Sequence, residues 1–271
     1  MTKRIVTGSI LTAITVVVLW FGGWVLALAG ILCLCFALHE EYYALTQAGH
    51  RPVAWPTWVA MFTGFPLALL IGSRVIVAVL LVAVLVTLIC VVFRSEPKLE
   101  DALMSLLPMA SVMLPSLCII YVSMIQPLPL QRAISALMIA VPVVGDTFAY
   151  FIGSWVRGPK LCPAISPNKT VSGAVAGLVG SLLAAIAVGL IAWGITSPAT
   201  RLLLPQWYTY VIMGLIGGAA SQMGDLFASM IKRHCGIKDF SSLFPGHGGM
   251  MDRLDSVLFM AVVVFCYRIL L

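Results

Sequence analysis

About nine apolar stretches follow one another along this chain, most of them long enough to cross a lipid bilayer, with only short polar breaks between them. They cover roughly residues 5–20, 23–38, 55–71, 75–93, 103–125, 133–155, 171–193, 207–231 and 250–271. Few folds accommodate such a pattern. It predicts an all-α, polytopic integral membrane protein of about nine transmembrane helices. Composition agrees: 61% of the residues are hydrophobic and 10% charged, whereas soluble domains carry roughly 25% charged residues. The net charge of +6 is read as cations flanking the spans and facing anionic headgroups, with no nucleic-acid partner. The seven cysteines form no CxxC pair and no Cys/His cluster at zinc spacing. Lys3 and Arg4 precede an apolar run that continues to Leu38, so a retained span is expected rather than a cleaved leader. His39-Glu40-Glu41-Tyr42-Tyr43 then reads as an interface marker, with tyrosines at headgroup depth.

Nine crossings with a cytoplasmic N-terminus would place twelve cations inside and four outside, Arg74, Arg132, Arg201 and Arg268. The expected location is the inner cell membrane, with the polar C-terminal loops facing the cytoplasm. No internal repeat or linker is evident. One membrane domain over 1–271 is expected, in which 1–130 packs and 131–271 carries the chemistry.

That chemistry concentrates between Ser221 and Ser256, which hold four of the ten carboxylates and four of the sixteen cations. Asp225 interrupts an apolar run, and a carboxylate at a span centre costs about 2.5–3.5 kcal/mol, less near the interface. On a helix, Ser221, Asp225, Ser229 and Lys232 share one face. Asp225 is read as a metal ligand; the bland alternative is an ion pair with Lys232 or Arg253. Asp252 and Asp255 are three residues apart at the start of the last run and share a face if it is helical. For Asp255, a favourable interaction with the helix dipole is the simpler alternative. Two or three oxygen ligands from facing helices suit Mg²⁺, which takes the rest of its shell from water and substrate phosphates. Pro245-Gly246-His247-Gly248-Gly249 offers glycines whose N–H groups could approach a phosphate. His247 is either a phosphate donor or a loop-stabilising partner. A second cluster contains Asp146, then Arg157, Lys160, Ser166, Lys169 and Thr170. It reads either as an ordinary positive-inside loop or as a contact for a lipid or nucleotide phosphate.

These residues carry a resemblance. The run Ser229-x-x-Lys232-Arg233, Lys238-Asp239, Pro245-Gly246-His247-Gly248-Gly249 and Asp252-Arg253-x-Asp255 resembles the signature of the phosphatidate cytidylyltransferases. Ser221-Gln222-x-Gly224-Asp225, Asp146-Thr147-x-Ala149-Tyr150 and Ile165-Ser166-Pro167-x-Lys169-Thr170 also resemble that family. The likeness covers the C-terminal half. Asn168 and Ser172 depart from it, standing where the family usually has lysine and glutamate. The resemblance implies that CTP and phosphatidate give CDP-diacylglycerol and pyrophosphate with Mg²⁺, one metal ion or two. It implies a metal centre on Asp225 and Asp252, to which Asp255 and Asp146 are added as ligands or supporting groups. Lys232, Arg233, Lys238, Arg253 and His247 would serve the phosphates. Ser229, Gly246, Gly248, Gly249, Ser166, Lys169 and Thr170 would contact substrate.

The chemistry is self-consistent. A phosphate monoester is largely dianionic at neutral pH, its second pKa being about 6, so the attacking phosphate needs no strong base. The acyl chains would stay in the bilayer, and the site should open sideways to lipid. A homodimer is compatible with the sequence. Rival expectations are the same nucleotide chemistry on another lipid or polyprenyl acceptor, and a transporter; the unlike halves disfavour the latter.

Overall fold

Helix Arg74–Val92 shows what solvent this protein is built for. It has the highest mean hydropathy of the apolar helices, 3.5 over Val75–Val92, yet only 17% of that stretch is buried. Val77, Leu81, Val82, Leu85 and Ile89 all point outward. In water such a face would be an aggregation site; against acyl chains it is the ordinary lipid surface.

The computed structural model describes residues 2–71 and 74–270. Leu271 and the side chains of 2–5, 65, 68, 69, 71 and 74 lie outside the described residues, and with them the expected placements of Lys3, Arg4 and Arg74. Helices run Thr2–Phe21 (α1), Gly23–Gln47 (α2), Trp55–Ile71 (α3), Arg74–Val92 (α4), Leu99–Pro108 (α5), Leu114–Ser123 (α6), Leu128–Val156 (α7), Val171–Ile195 (α8), Trp207–Ile212 (α9), Gly218–His234 (α10) and Met251–Leu270 (α11). Single π turns, Met109–Met113 and Met213–Gly217, splice α5 to α6 and α9 to α10. The first lies just before Pro115, which has no N–H to return to Ser111.

Each expected apolar run therefore coincides with one helical rod, although nine crossings are not confirmed. Among the described residues, six rods are long and apolar enough to span a membrane by length and composition. Of the other three, the apolar part of α1, Val6–Phe21, is shorter, and α3 has 17 residues. The third, α11, opens with Asp252, Arg253 and Asp255. The architecture is all-α and polytopic, with one small addition, an antiparallel hairpin of Lys160–Cys162 (β1) and Ser166–Thr170 (β2).

One core cluster joins the two halves of the chain. Leu34 and Leu38 of α2, Ile119 and Val122 of α6, Leu137 and Val141 of α7, and Leu258 and Met260 of α11 all belong to it. Helix α2 does not stop near residue 38 as the sequence suggested. It runs to Gln47, with Glu40, Glu41 and Tyr42 buried. Tyr42 faces the protein rather than lipid: it is 5% exposed, and its hydroxyl meets Thr57 Oγ1 at 2.6 Å and donates to the Ser105 carbonyl at 2.9 Å. Tyr43 on the opposite face is exposed. Glu41 accepts from Ser111 Oγ at 2.8 Å, inside the first π turn.

Helices α7 and α8 meet in a close, glycine-lined seam. A Cβ on Gly153 would sit 3.0 Å from the Gly173 Cα, and one on Gly173 would sit 2.8 Å from the Ala149 carbonyl. Ser181 Oγ donates across the seam to the Val141 carbonyl at 3.0 Å.

Candidate active site

Four helix ends and two connectors meet at one end of the bundle. On the connections near this end, the Arg51 amide and the Arg94 guanidinium both reach Asp101, at 2.8 and 3.4 Å. At the far end Arg132 stacks over Trp20 with 5.0 Å to the ring centroid.

Helix α10 brings Asp225 to the site. Gly224 allows α10 to lie against α11, since a Cβ there would come within 2.9 Å of the Phe259 ring. The Asp225 carboxylate is paired with Lys169 of β2, Nζ to Oδ2 2.6 Å, rather than with Lys232 or Arg253. Ser229, one turn on, donates weakly to Asp225 Oδ1 at 3.5 Å. Ser221 is spent on its own helix, donating to the Gly217 carbonyl at 2.7 Å.

Asp252 stands in the first turn of α11 and is almost fully engaged. Its Oδ1 accepts from Lys232 Nζ at 2.7 Å. Its Oδ2 accepts from the Phe240 and Gly249 amides, each at 2.9 Å. Lys232 and Asp252 are each 9% exposed, and the lysine also lies 5.6 Å over the Phe240 ring centroid. One carboxylate thereby ties α10, the connector and α11 together. Ser256 bridges the next two acids, its hydroxyl approaching Asp146 Oδ2 at 3.4 Å and Asp255 Oδ1 at 3.3 Å.

These groups line a cavity of about 830 Å³. Its walls carry five carboxylates, Asp146, Asp225, Asp239, Asp252 and Asp255, and five cations, Arg157, Lys160, Lys169, Lys232 and Arg253. A second cavity of about 420 Å³ lies between α7 and α11 and shares Asp146, Tyr150, Asp252, Arg253 and Asp255 with the first. Its other walls include Val143, Phe151 and Val257, with Thr147 and Ser256. Val143, Tyr150 and Phe151 are exposed on the outer surface of α7. The acids thus lie between a chamber with five cations in its wall and one bordered by side chains exposed on the outer surface of α7.

The structure does not bring every expected residue to these chambers. Among the expected phosphate-binding cations, Lys232 and Arg253 line the large cavity, whereas Arg233 and Lys238 do not. Arg233 is braced against the Ile165 and Ile237 carbonyls at 3.3 and 3.2 Å. Arg157 and Lys160 take their place in the wall. The glycine run forms a turn closed on itself. The Phe244 amide donates to the Gly248 carbonyl at 2.9 Å and the His247 amide to the Phe244 carbonyl at 2.8 Å. Gly246 and Gly248 both have φ of 80°, where a side chain is disfavoured. The Gly249 amide is spent on Asp252. His247 lies toward α1, 3.4 Å from the position of a Cβ on Gly8. Ser166 lies in β2 outside the lining, while Lys169 and Thr170 are in it. Thr170 also caps α8, accepting from the Gly173 amide at 3.1 Å. Ser172 donates to the Arg157 carbonyl, holding the end of α7 where Arg157 adopts φ 59°.

Sequence reasoning missed Glu40. It lies in α2, far along the chain, yet accepts from Ser241 and from the Met250 and Met251 amides. An acidic pair inside an otherwise apolar run was the available signal.

Comparison with known proteins bears on this geometry. The model of the cytidylyltransferase family matches residues 2–271. The chain is 40% identical to a phosphatidate cytidylyltransferase of Synechocystis over 144 residues, 53% of this chain and 45% of the relative. It is 41% identical to one of Bacillus subtilis over 126 residues, 46% of this chain and 42% of the relative. A Thermotoga maritima protein of the same name is 35% identical over 159 residues, 55% of this chain and 56% of the relative. The chain spans about half the length of the curated relatives it matches. The helical membrane architecture, the acid-lined double cavity and a match over nearly every residue lead to one assignment: the chain belongs to the cytidylyltransferase family.

Proposed function

We propose that this protein transfers the CMP group of CTP to phosphatidate, giving CDP-diacylglycerol and pyrophosphate for phospholipid synthesis. The observation that carries the reading is the pair of chambers sharing one acidic wall. The larger one, with five cations in its wall, suits a nucleoside triphosphate. The one between α7 and α11, bordered by Val143, Tyr150 and Phe151, suits a phosphate headgroup whose acyl chains remain in the bilayer. The phosphatidate cytidylyltransferase relatives support the same substrates. The site end carries the cation excess, which supports a cytoplasmic orientation in the inner membrane.

The residues fit a hard divalent cation. Asp225 and Asp252 each already hold an ammonium group, at 2.6 and 2.7 Å, on oxygens to which a metal ion would bind. Asp146 and Asp255 supply further oxygen donors in the same wall. Among the described residues no group of three or more His, Cys, Asp or Glu side chains is assembled for a metal. Mg²⁺ does not require one, since it is held by one or two carboxylates and completes its shell with water and substrate phosphates. When bound, Mg²⁺ would neutralise triphosphate charge and favour departure of pyrophosphate.

The chain's own groups have separate tasks. Lys232, fixed by Asp252, and Arg253 would hold the triphosphate in line with the attacking lipid phosphate. Lys169, Arg157 and Lys160 would offset the charge gathered when two anions meet. No side chain need remove a proton from a dianionic phosphate.

Purified protein in detergent, given phosphatidate, Mg²⁺ and labelled CTP, should yield a labelled lipid and free pyrophosphate. Labelling only when another lipid or a polyprenyl phosphate replaces phosphatidate would transfer the reading to that acceptor; no labelling with any would end it. Lys232→Ala should lower turnover more than Lys169→Ala. Lys232 is buried and its partner Asp252 holds two further amides, whereas the Lys169–Asp225 pair is 28% exposed on both sides. The reverse ranking, measured as kcat under saturating substrates, would put the principal phosphate contact on the β hairpin.

A further inference from the structure

We infer that Glu40 is a positioning residue for this reaction, setting the catalytic connector and the start of α11 from the N-terminal half of the chain. The inference rests on the reading of the large cavity as the nucleotide site. Glu40 is 5% exposed and lines neither chamber. Its Oε1 accepts from Ser241 Oγ at 2.5 Å and the Met250 amide at 3.0 Å, and its Oε2 accepts from the Met251 amide at 2.8 Å. Met250 and Met251 stand where α11 begins, and the first amides of a helix have no partner within it. Glu40 supplies that partner from another helix, with its negative charge at the positive end of the α11 dipole.

The same segment is gripped from the other side. Asp252 takes the Phe240 and Gly249 amides and Lys232. The connector between Phe240 and Met251 is thus held between two carboxylates, one reaching from α2 and one from α11. Gly249 sits where they converge: a Cβ there would come within 2.7 Å of the Glu40 carboxyl carbon. Releasing Glu40 frees Ser241, Met250 and Met251 while leaving every cavity-lining side chain in the sequence. The orientation of Asp252 and Arg253, one and two residues beyond Met251, depends on that anchor.

Full-length wild type, Glu40→Gln and Glu40→Ala, purified in detergent, would be compared by kcat, KM for CTP, unfolding midpoint and tryptic cleavage at Lys238. Glutamine keeps the length and one carbonyl acceptor, so it should fall between the other two. Displacement of reacting groups by about 1 Å can cost on the order of a hundredfold in rate, so Glu40→Ala should lose at least about tenfold in kcat per folded protein. KM for CTP should change little, and Lys238 should be cut faster. Should Glu40→Ala not fold, Glu40→Gln decides by the same measures. Wild-type kcat with an unchanged cleavage rate overturns the inference. So does a loss of activity that vanishes when kcat is expressed per folded molecule. If wild type makes no labelled lipid while Glu40→Ala still opens the connector to trypsin, the anchoring stands and the proposed reaction falls.

Discussion

Asp225→Asn is expected to lower turnover by at least about a hundredfold, the usual scale for removing one preorganised charge from a reacting centre. The protein should still insert, purify and unfold near the wild-type temperature. Asp225 is partly exposed and, among the described residues, has Lys169 as its only salt bridge, so the fold depends on it weakly. Asparagine keeps the shape and one oxygen but removes the charge on which both Lys169 and a divalent cation would rely. Steady-state kinetics across a Mg²⁺ titration check this. Near-full Mg²⁺-dependent activity in the variant would remove Asp225 from the proposed metal centre.

Lys232→Met is expected to act on both activity and stability. It leaves Asp252, 9% exposed, as a buried carboxylate without its ammonium, and breaking a buried pair by deleting one partner costs about 3–5 kcal/mol. The loss should appear as a lower unfolding midpoint in detergent and as faster proteolysis of the connector, alongside lost turnover. An unchanged midpoint would mean that the Phe240 and Gly249 amides suffice to hold Asp252. Together the two variants separate a group that acts on substrate from one that also builds the site.

The sequence disclosed the site's acids more readily than its architecture. Asp146 and Asp225 could be singled out because a carboxylate is costly in an apolar run unless something offsets it, and Asp252 and Asp255 because they stand three residues apart at the start of the last run. All four line the cavity. Their partners could not be read, because pairing across elements depends on packing. Helical spacing suggested Lys232 for Asp225, but Lys169 of a distant hairpin takes that place. Gly246 to Gly249 invited a phosphate cradle, since glycine permits both close approach and positive φ. Here the positive φ is what the turn needs, and the His247 and Gly249 amides are spent within the protein. Glu40 was hidden by its neighbours: beside Tyr42 and Tyr43 it looks like a residue at the membrane surface, and only the fold shows what it accepts. The apolar runs located all nine rods, but hydropathy alone cannot turn a rod into a crossing when it is short, as in α1 and α3, or charged at one end, as in α11.

The glycine-lined seam between α7 and α8 limits how this molecule can move. Backbone lies so close to backbone at Gly153 and Gly173 that neither helix can slide or tilt without collision. The two behave as a single stiff plate carrying Asp146 on one edge. Whatever gives way as a water-borne reactant and a bilayer-borne reactant enter must lie elsewhere.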